Sequence, residues 1–195
     1  MPATTVKGAA PDRAARREAL LDAADRIICR DGPAASMVSI AGEAGITKPI
    51  LYRHFGDKSG LYAALTDRYT GRLLDNLRAA LGAGTDRRDR VERTIDAYLS
   101  AIEAEPEVYR FLLHSDEAVL AHSQVRSFTR RLADLLADGI ALELGVPPAR
   151  AAAWAHGIVG MVQSTGDWWL ENQTVSRREL VAELSALLFG GYATS

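Results

Sequence analysis

Apolar residues recur at helical spacing along almost the whole chain. Leu20, Ala24, Ile27 and Ile28 fall at i, i+4, i+7 and i+8, one face of a helix that opens near Asp12. That helix should stop at Asp31-Gly32-Pro33, where a Gly-Pro pair breaks it. A very short helix follows from Met37 to Ala44, with Ser36 as N-cap and Gly45 as the left-handed residue past its end. Thr47 is placed to cap the next, with Pro49 in the first turn, where a missing N–H costs nothing. Asp57 caps a longer helix from Lys58 to about Leu81, and Gly82-Ala83-Gly84-Thr85 reads as a linker. Beyond it the pattern predicts a helix over 86–104, a break at Pro106, and a short helix through Leu113. Three more reach Leu144, span 149–172 and span 177–189. The last opens on Ser176-Arg177-Arg178-Glu179, a capping box, and ends at Gly190-Gly191. No stretch alternates as a strand does, and no segment repeats. The expected fold class is all-α, with about nine helices.

Composition narrows the class without choosing a function. Hydrophobic residues make up 48% and charged residues 25%, which excludes a disordered, collagen-like or low-complexity chain. A single cysteine, Cys29, excludes an internal disulfide and any multi-cysteine zinc module. It is expected to pack as a small hydrophobe. Residues 1–11 hold small residues, two prolines and no period, and read as a disordered arm without the apolar core of a secretion signal. No apolar run approaches the roughly 20 residues that cross a bilayer, so no membrane role and a cytoplasmic location are expected. The net charge of -2 does not suggest a nucleic-acid partner. Its distribution leans that way only mildly: residues 1–70 carry 10 Lys/Arg against 8 Asp/Glu, and 71–195 carry 13 against 17. Two of the three lysines, Lys48 and Lys58, fall within one eleven-residue stretch.

That stretch lies in the segment with the most specific pattern, Ser36 to Leu65. Two short helices joined by a tight turn containing glycine describe a helix-turn-helix. In the first, Ile40 and Ala41 face inward; Gly45 supplies the turn and Ile46 fills the angle between the helices. In the second, Leu51 and Phe55 point into the core, leaving Lys48, Pro49, Tyr52, Arg53 and His54 outside. A cation, a phenol and an imidazole on one surface suit a groove lined by phosphates.

The run I-A-x-x-A-G-I-T-K-P-x-L-Y-R-H-F-x-D-K-x-x-L resembles the N-terminal signature of the tetracycline-repressor (TetR) family of bacterial transcriptional regulators, ungapped from about Arg13 to Leu65. The resemblance implies a homodimer that binds double-stranded DNA at a pseudo-palindromic operator, with the second helix of the motif in the major groove. It implies a three-helix DNA-binding domain over 12–57 and a helical effector-binding and dimerisation domain over 58–195. Carried over by position, Thr47, Lys48, Pro49, Ile50, Tyr52, Arg53 and His54 form the DNA-binding set, and Lys58 matches a phosphate-contacting lysine. Tyr52 and His54 would grip phosphate, while Lys48, Pro49 and Ile50 lie nearer base edges. The tetracycline repressor reads guanine with an arginine on the first helix of the motif; Val38 stands there in this chain, so the operator should differ. Arg13, Arg16 and Arg17 are candidates for further phosphate contacts.

In the C-terminal two-thirds the resemblance supplies architecture but no ligand. Trp154, Ile158, Met161, Thr165 and Trp168 form one stripe of a helix whose second face carries Val159, Val162 and Trp169. A helix apolar on two sides is buried on two sides. One stripe, with Tyr98, Tyr109, Phe111, His114, Phe128, Trp154, Met161 and Trp168, is assigned to an effector pocket, and Gln163, Ser164 and Asp167 either orient a polar head group or simply meet the chain's own polar needs. The lining favours a hydrophobic small molecule. Val159, Val162, Leu180, Leu184, Leu187 and Leu188 are assigned to the dimer interface. His114, His122 and His156 are too dispersed for a metal site, and no cofactor is expected. No Gly-rich phosphate loop, H-E-x-x-H, G-x-S-x-G or C-x-x-C is present, so the chain is not expected to be an enzyme. The expected function is a ligand-responsive repressor released from its operator by effector. The alternatives are a ligand-independent DNA-binding dimer and a regulator that needs a co-repressor.

Overall fold

A computed structural model describes residues 9–114 and 118–190, with side chains for 13–32, 34–110 and 129–190. Among the described residues there are nine α-helices and no strand. They are α1 (Ala9–Asp31), α2 (Met37–Glu43), α3 (Lys48–Phe55), α4 (Lys58–Ala83), α5 (Arg87–Ala104), α6 (Pro106–His114), α7 (Ala118–Leu144), α8 (Pro148–Asn172) and α9 (Arg177–Gly190). A single 3-10 turn, Gly32–Ala34, follows α1 at the predicted Gly-Pro break. Helix α1 begins three residues before Asp12, and residues 1–8 of the expected arm lie outside the described residues.

The short helices owe their ends to local chemistry. Ser36 caps α2: its Oγ accepts the Ser39 N–H at 3.1 Å, and the Ser36 N–H donates back to Ser39 Oγ at 3.1 Å. A serine thus fills the place that Glu or Gln takes in the usual capping box. Past the end of α2, the Gly45 N–H donates to Gly42 O and the Ile46 N–H to Ala41 O, at 3.1 and 3.0 Å. This Schellman pair needs the left-handed backbone of Gly45, φ +64°. Thr47 stands at the N-cap of α3 but makes no side-chain cap bond. Asp57 and Ser176 perform as their spacing predicts: Asp57 Oδ1 accepts the Gly60 N–H at 2.8 Å, and Ser176 shares a capping box with Glu179.

The chain divides into two compact units. The first holds residues 1–66 and 107–121, the second 67–106 and 122–195; α4 has residues in both. In the first unit, Leu20, Leu21, Ala24, Ile27 and Ile28 of α1 are buried with Met37, Ile40, Leu51, Phe55, Leu61 and Leu65. In the second, α5 and α9 pack along each other, and Ile95, Leu99 and Ile102 are buried along with Leu180 and Leu184. Polar bonds register that pair. Arg177 Nε donates to Asp96 at 2.8 Å, its other end bonds to Glu103, and buried Ser185 donates to Glu92 at 3.0 Å. Gly166 of α8 meets α5 closely, since a Cβ there would lie 3.0 Å from Ile102 and 3.1 Å from Tyr98.

Candidate nucleic-acid interface and effector chamber

Helix α3 is two-faced over only eight residues. Leu51 is fully buried and Phe55 nearly so, which fixes the rotation of the helix about its axis. Thr47, Lys48, Pro49 and Arg53 are then exposed, and Ile50, Tyr52 and His54 half-exposed. The expected DNA-binding set therefore occupies the solvent side of one rigid helix. Lys48 and Tyr52, one turn apart, are stacked: the ammonium lies 5.4 Å from the ring centroid. Lys58, in the first turn of α4, lies 5.1 Å from the ring of Tyr62.

Three arginines of α1 join this surface. Arg17 lies over the Phe55 ring at 5.1 Å. The His54 imidazole is held below its ordinary pKa, first by partial burial and then by Arg53, Arg13 and Arg16. The neutral form of the imidazole is thereby favoured, a hydrogen-bonding group rather than a cation. Helical periodicity could not place Arg13, Arg16 and Arg17 beside α3; only the packing of α1 does so.

One positioning residue escapes side-chain reasoning altogether. A Cβ on Gly60 would fall on the Phe55 carbonyl oxygen at the end of α3. In most helices Gly→Ala stabilises by about 0.5–1 kcal/mol. Here the sign should reverse: Gly60→Ala is expected to destabilise by about 1–3 kcal/mol and to weaken DNA binding, because α3 and α4 must separate. Thermal unfolding and a duplex titration on the same variant check both parts.

The second unit contains a chamber of about 700 Å³ between α4, α5, α7, α8 and α9. Of the residues assigned to an effector pocket, Tyr98, Trp154 and Met161 line it, as does Gln163, whose Oε1 accepts Thr129 Oγ1 at 3.3 Å. Tyr109 and Trp168 are not among its lining; Tyr109 belongs to the first unit, and Trp168 is 47% exposed on α8. The side chains of Phe111, His114 and Phe128 lie outside the described residues. Lining residues that the stripe argument left out include Leu77, Ile95, Leu132 and Leu136, whose shared chamber is a product of tertiary packing.

The residues expected at a dimer interface fall in different environments within the protomer. Val159, Val162, Leu180 and Leu184 are buried inside the protomer, and Val159 and Val162, with Leu188, line the chamber. Leu188 is half-buried, and Leu187, 37% exposed, lies on the surface. The outward face of α8, away from the chamber lining, carries His156, Gly160, Ser164 and Trp168, spaced four residues apart. Apolar pattern alone marks two faces for burial without saying which is covered from within. Trp169 illustrates the difference: it is buried, and its Nε1 donates to Val175 O at 2.7 Å, anchoring the turn between α8 and α9.

Among the described residues, no group of acidic, histidine or cysteine side chains is arranged to hold a metal, and no helix is long and apolar enough to cross a membrane. Residues 20–65 match the bacterial regulatory proteins of the tetR family, and residues 76–195 the tetracyclin repressor-like C-terminal domain. The transcriptional activator FasR of Mycolicibacterium smegmatis is 34% identical over 160 residues, 80% of this chain and 73% of that protein. A tetR-family regulator from Streptomyces coelicolor superposes with a TM-score of 0.70 at 25% identity, covering 88% of this chain and 78% of that one. FadR from Bacillus subtilis, solved in complex with stearoyl-CoA, superposes with a TM-score of 0.65 at 18% identity, covering 90% and 98%; at that identity the likeness concerns the fold.

Proposed function

The chain belongs to the tetracycline-repressor family of bacterial transcriptional regulators, and from that premise we propose that it is a dimeric repressor whose hold on its operator is set by an apolar effector. It is a transcriptional regulator with a DNA-binding helix-turn-helix, and not an enzyme. The observation that carries the reading is the division of α3. Buried Leu51 and Phe55 aim an exposed Lys48, Pro49 and Arg53 outward, beside the arginines of α1. In a two-fold dimer, two such helices enter successive major grooves about 34 Å apart, so half-sites are inverted and one helical turn apart or a multiple of it. Arg53, Tyr52 and Lys58 hold phosphates, and so does Lys48, which its stacking on Tyr52 draws from the base edges its position suggested; Pro49 and Ile50 meet base edges, with thymine methyls as their apolar partners. Selecting bound duplexes from a random pool tests this. An inverted repeat is the expected product, and a pool with no symmetric enrichment would contradict it.

The chamber supports the effector half of the proposal. Its lining is mostly apolar and its volume lies within the range of small-molecule sites. FadR, of the same fold, holds stearoyl-CoA, which is compatible with a hydrophobic effector. An effector that binds better to one spacing of the two reading helices shifts the dimer population toward it. Helix α4, with residues in both units, is the proposed lever. A second reading of the sign has a specific motive, since the relative FasR is an activator. Run-off transcription from the selected operator separates the two: a fall in transcript supports repression, and a rise supports activation.

The outward face of α8 is the proposed dimer surface. Its Gly160 offers a clean test, because a Cβ there meets nothing within 4 Å in the protomer. Gly160→Leu should leave the protomer folded, yet weaken dimerisation at least about tenfold, since a close helix–helix approach tolerates no added bulk. Sedimentation velocity reads the shift toward monomer; an unchanged dimer would assign association to another face.

A further inference from the structure

The chamber lining is mostly apolar, with Thr94, Tyr98 and Gln163 as its uncharged polar members. Its charged lining residues, among those described, are Arg87, Arg90 and Glu143. Arg87 and Arg90 lie in the first turn of α5, Glu143 next to the last residue of α7, Trp154 near the start of α8, and Phe189 near the end of α9. The far end is formed by Ile95, Tyr98, Val159 and Val162, all buried. Helix ends thus surround an exposed, charged rim.

The three charges are not balanced. Arg90 Nη2 donates to Glu143 Oε1 at 2.6 Å, and both side chains are partly exposed. Arg87 meets no carboxylate among the described residues; its guanidinium lies 5.1 Å from the centroid of Phe189, itself part of the wall. Two guanidiniums therefore face one carboxylate where the chamber meets solvent. A wholly apolar ligand has no use for such a rim, and a cationic head would meet Arg87. Arg90 packs closely under Gly84 of the α4–α5 linker, where a Cβ would lie 2.3 Å from its Cγ and 2.7 Å from its N and Cα.

We propose that this rim is a head-group subsite for an anion carried on a long apolar tail, in which Glu143 holds Arg90 until the ligand's carboxylate or phosphate takes its place. The inference rests on the reading of the chamber as the effector site. Exchange of one anion for another at Arg90 roughly cancels, so the gain comes from Arg87, and Glu143 opposes the incoming charge. The exchange also releases the link between the start of α5 and the end of α7. A charged amphiphile therefore alters the second unit in a way that a neutral one of equal tail length does not.

Calorimetric titration of the full chain with tetradecanoate, tetradecyl phosphate and tetradecanol, below micellar concentrations, tests this. The anions should bind about tenfold tighter than the alcohol. In Arg87→Gln/Arg90→Gln that ratio should fall to near one, while the affinity for the alcohol stays unchanged. In Glu143→Gln the ratio should rise severalfold, a sign that a merely structural ion pair would not produce. Scoring each variant by its own anion-to-alcohol ratio cancels any general damage to the fold. The tighter of the two anions tells a free carboxylate ligand from a phosphate-bearing one. Equal affinities in the unaltered protein, or a ratio indifferent to the arginine changes, would overturn the head-group subsite and leave the effector chamber standing. If none of the three binds, the effector reading itself fails, and this inference with it.

Discussion

Changing Lys48 and Tyr52 together to alanine is expected to weaken operator binding about a hundredfold while leaving the protein folded. Each side chain stands on the solvent side of α3, and neither fills a core position. A charge-assisted contact from lysine and a hydrogen bond from the Tyr52 hydroxyl, both to phosphate, are each worth about 1–2 kcal/mol, which multiplies to that factor. The two are stacked before DNA arrives, so they should act as a unit, and the single changes should not simply add. Losing the lysine contact should also lower the slope of log affinity against log salt by about one. The measurement is a duplex titration at several salt concentrations, with thermal unfolding as the control on folding. Unchanged affinity in the double variant would remove α3 from the groove.

The second large effect is expected from a residue that never touches DNA. Leu51 is fully buried between the exposed positions of α3. Leu51→Ala should destabilise the protein by about 2–5 kcal/mol, from lost transfer energy and the cavity left behind. DNA binding should fall with it, because Leu51 and Phe55 hold the rotation that presents Lys48 and Arg53. The two variants are told apart by what a bound duplex restores. Excess operator should recover much of the lost thermal midpoint in Leu51→Ala by mass action. It should recover little in the Lys48/Tyr52 variant, whose midpoint was never lowered. Chemical denaturation with and without duplex reads both.

The N-terminal unit was the more legible part of the chain, for a physical reason. A helix-turn-helix packs short elements against near neighbours, so caps, turn glycine and buried positions all lie within one continuous run. Ser36, Gly45, Leu51, Phe55 and Asp57 take the places their spacing predicts. What spacing could not reveal there depends on approach between helices: the arginines of α1 beside α3, and Gly60 beneath the Phe55 carbonyl. In the second unit the same limit dominates. Val159, Val162, Leu180 and Leu184 were legible as apolar stripes, but whether a stripe faces its own protomer or a second copy is decided by helices far away in sequence. The chamber is of that kind. Its walls draw on five helices, and the pairing of Arg90 with Glu143 spans 53 residues that no local pattern joins.

The proposed function requires that this chain read a particular duplex through α3. Its most direct test is an anisotropy titration of the full chain against labelled DNA flanking its own gene, beside a scrambled duplex of the same composition. Tight binding to the first is expected, saturating at two chains per duplex and weakening steeply with salt, with much weaker binding to the second. Equal affinity for the two would contradict specific readout at this locus. No binding to an inverted repeat selected from random DNA would contradict the claim itself.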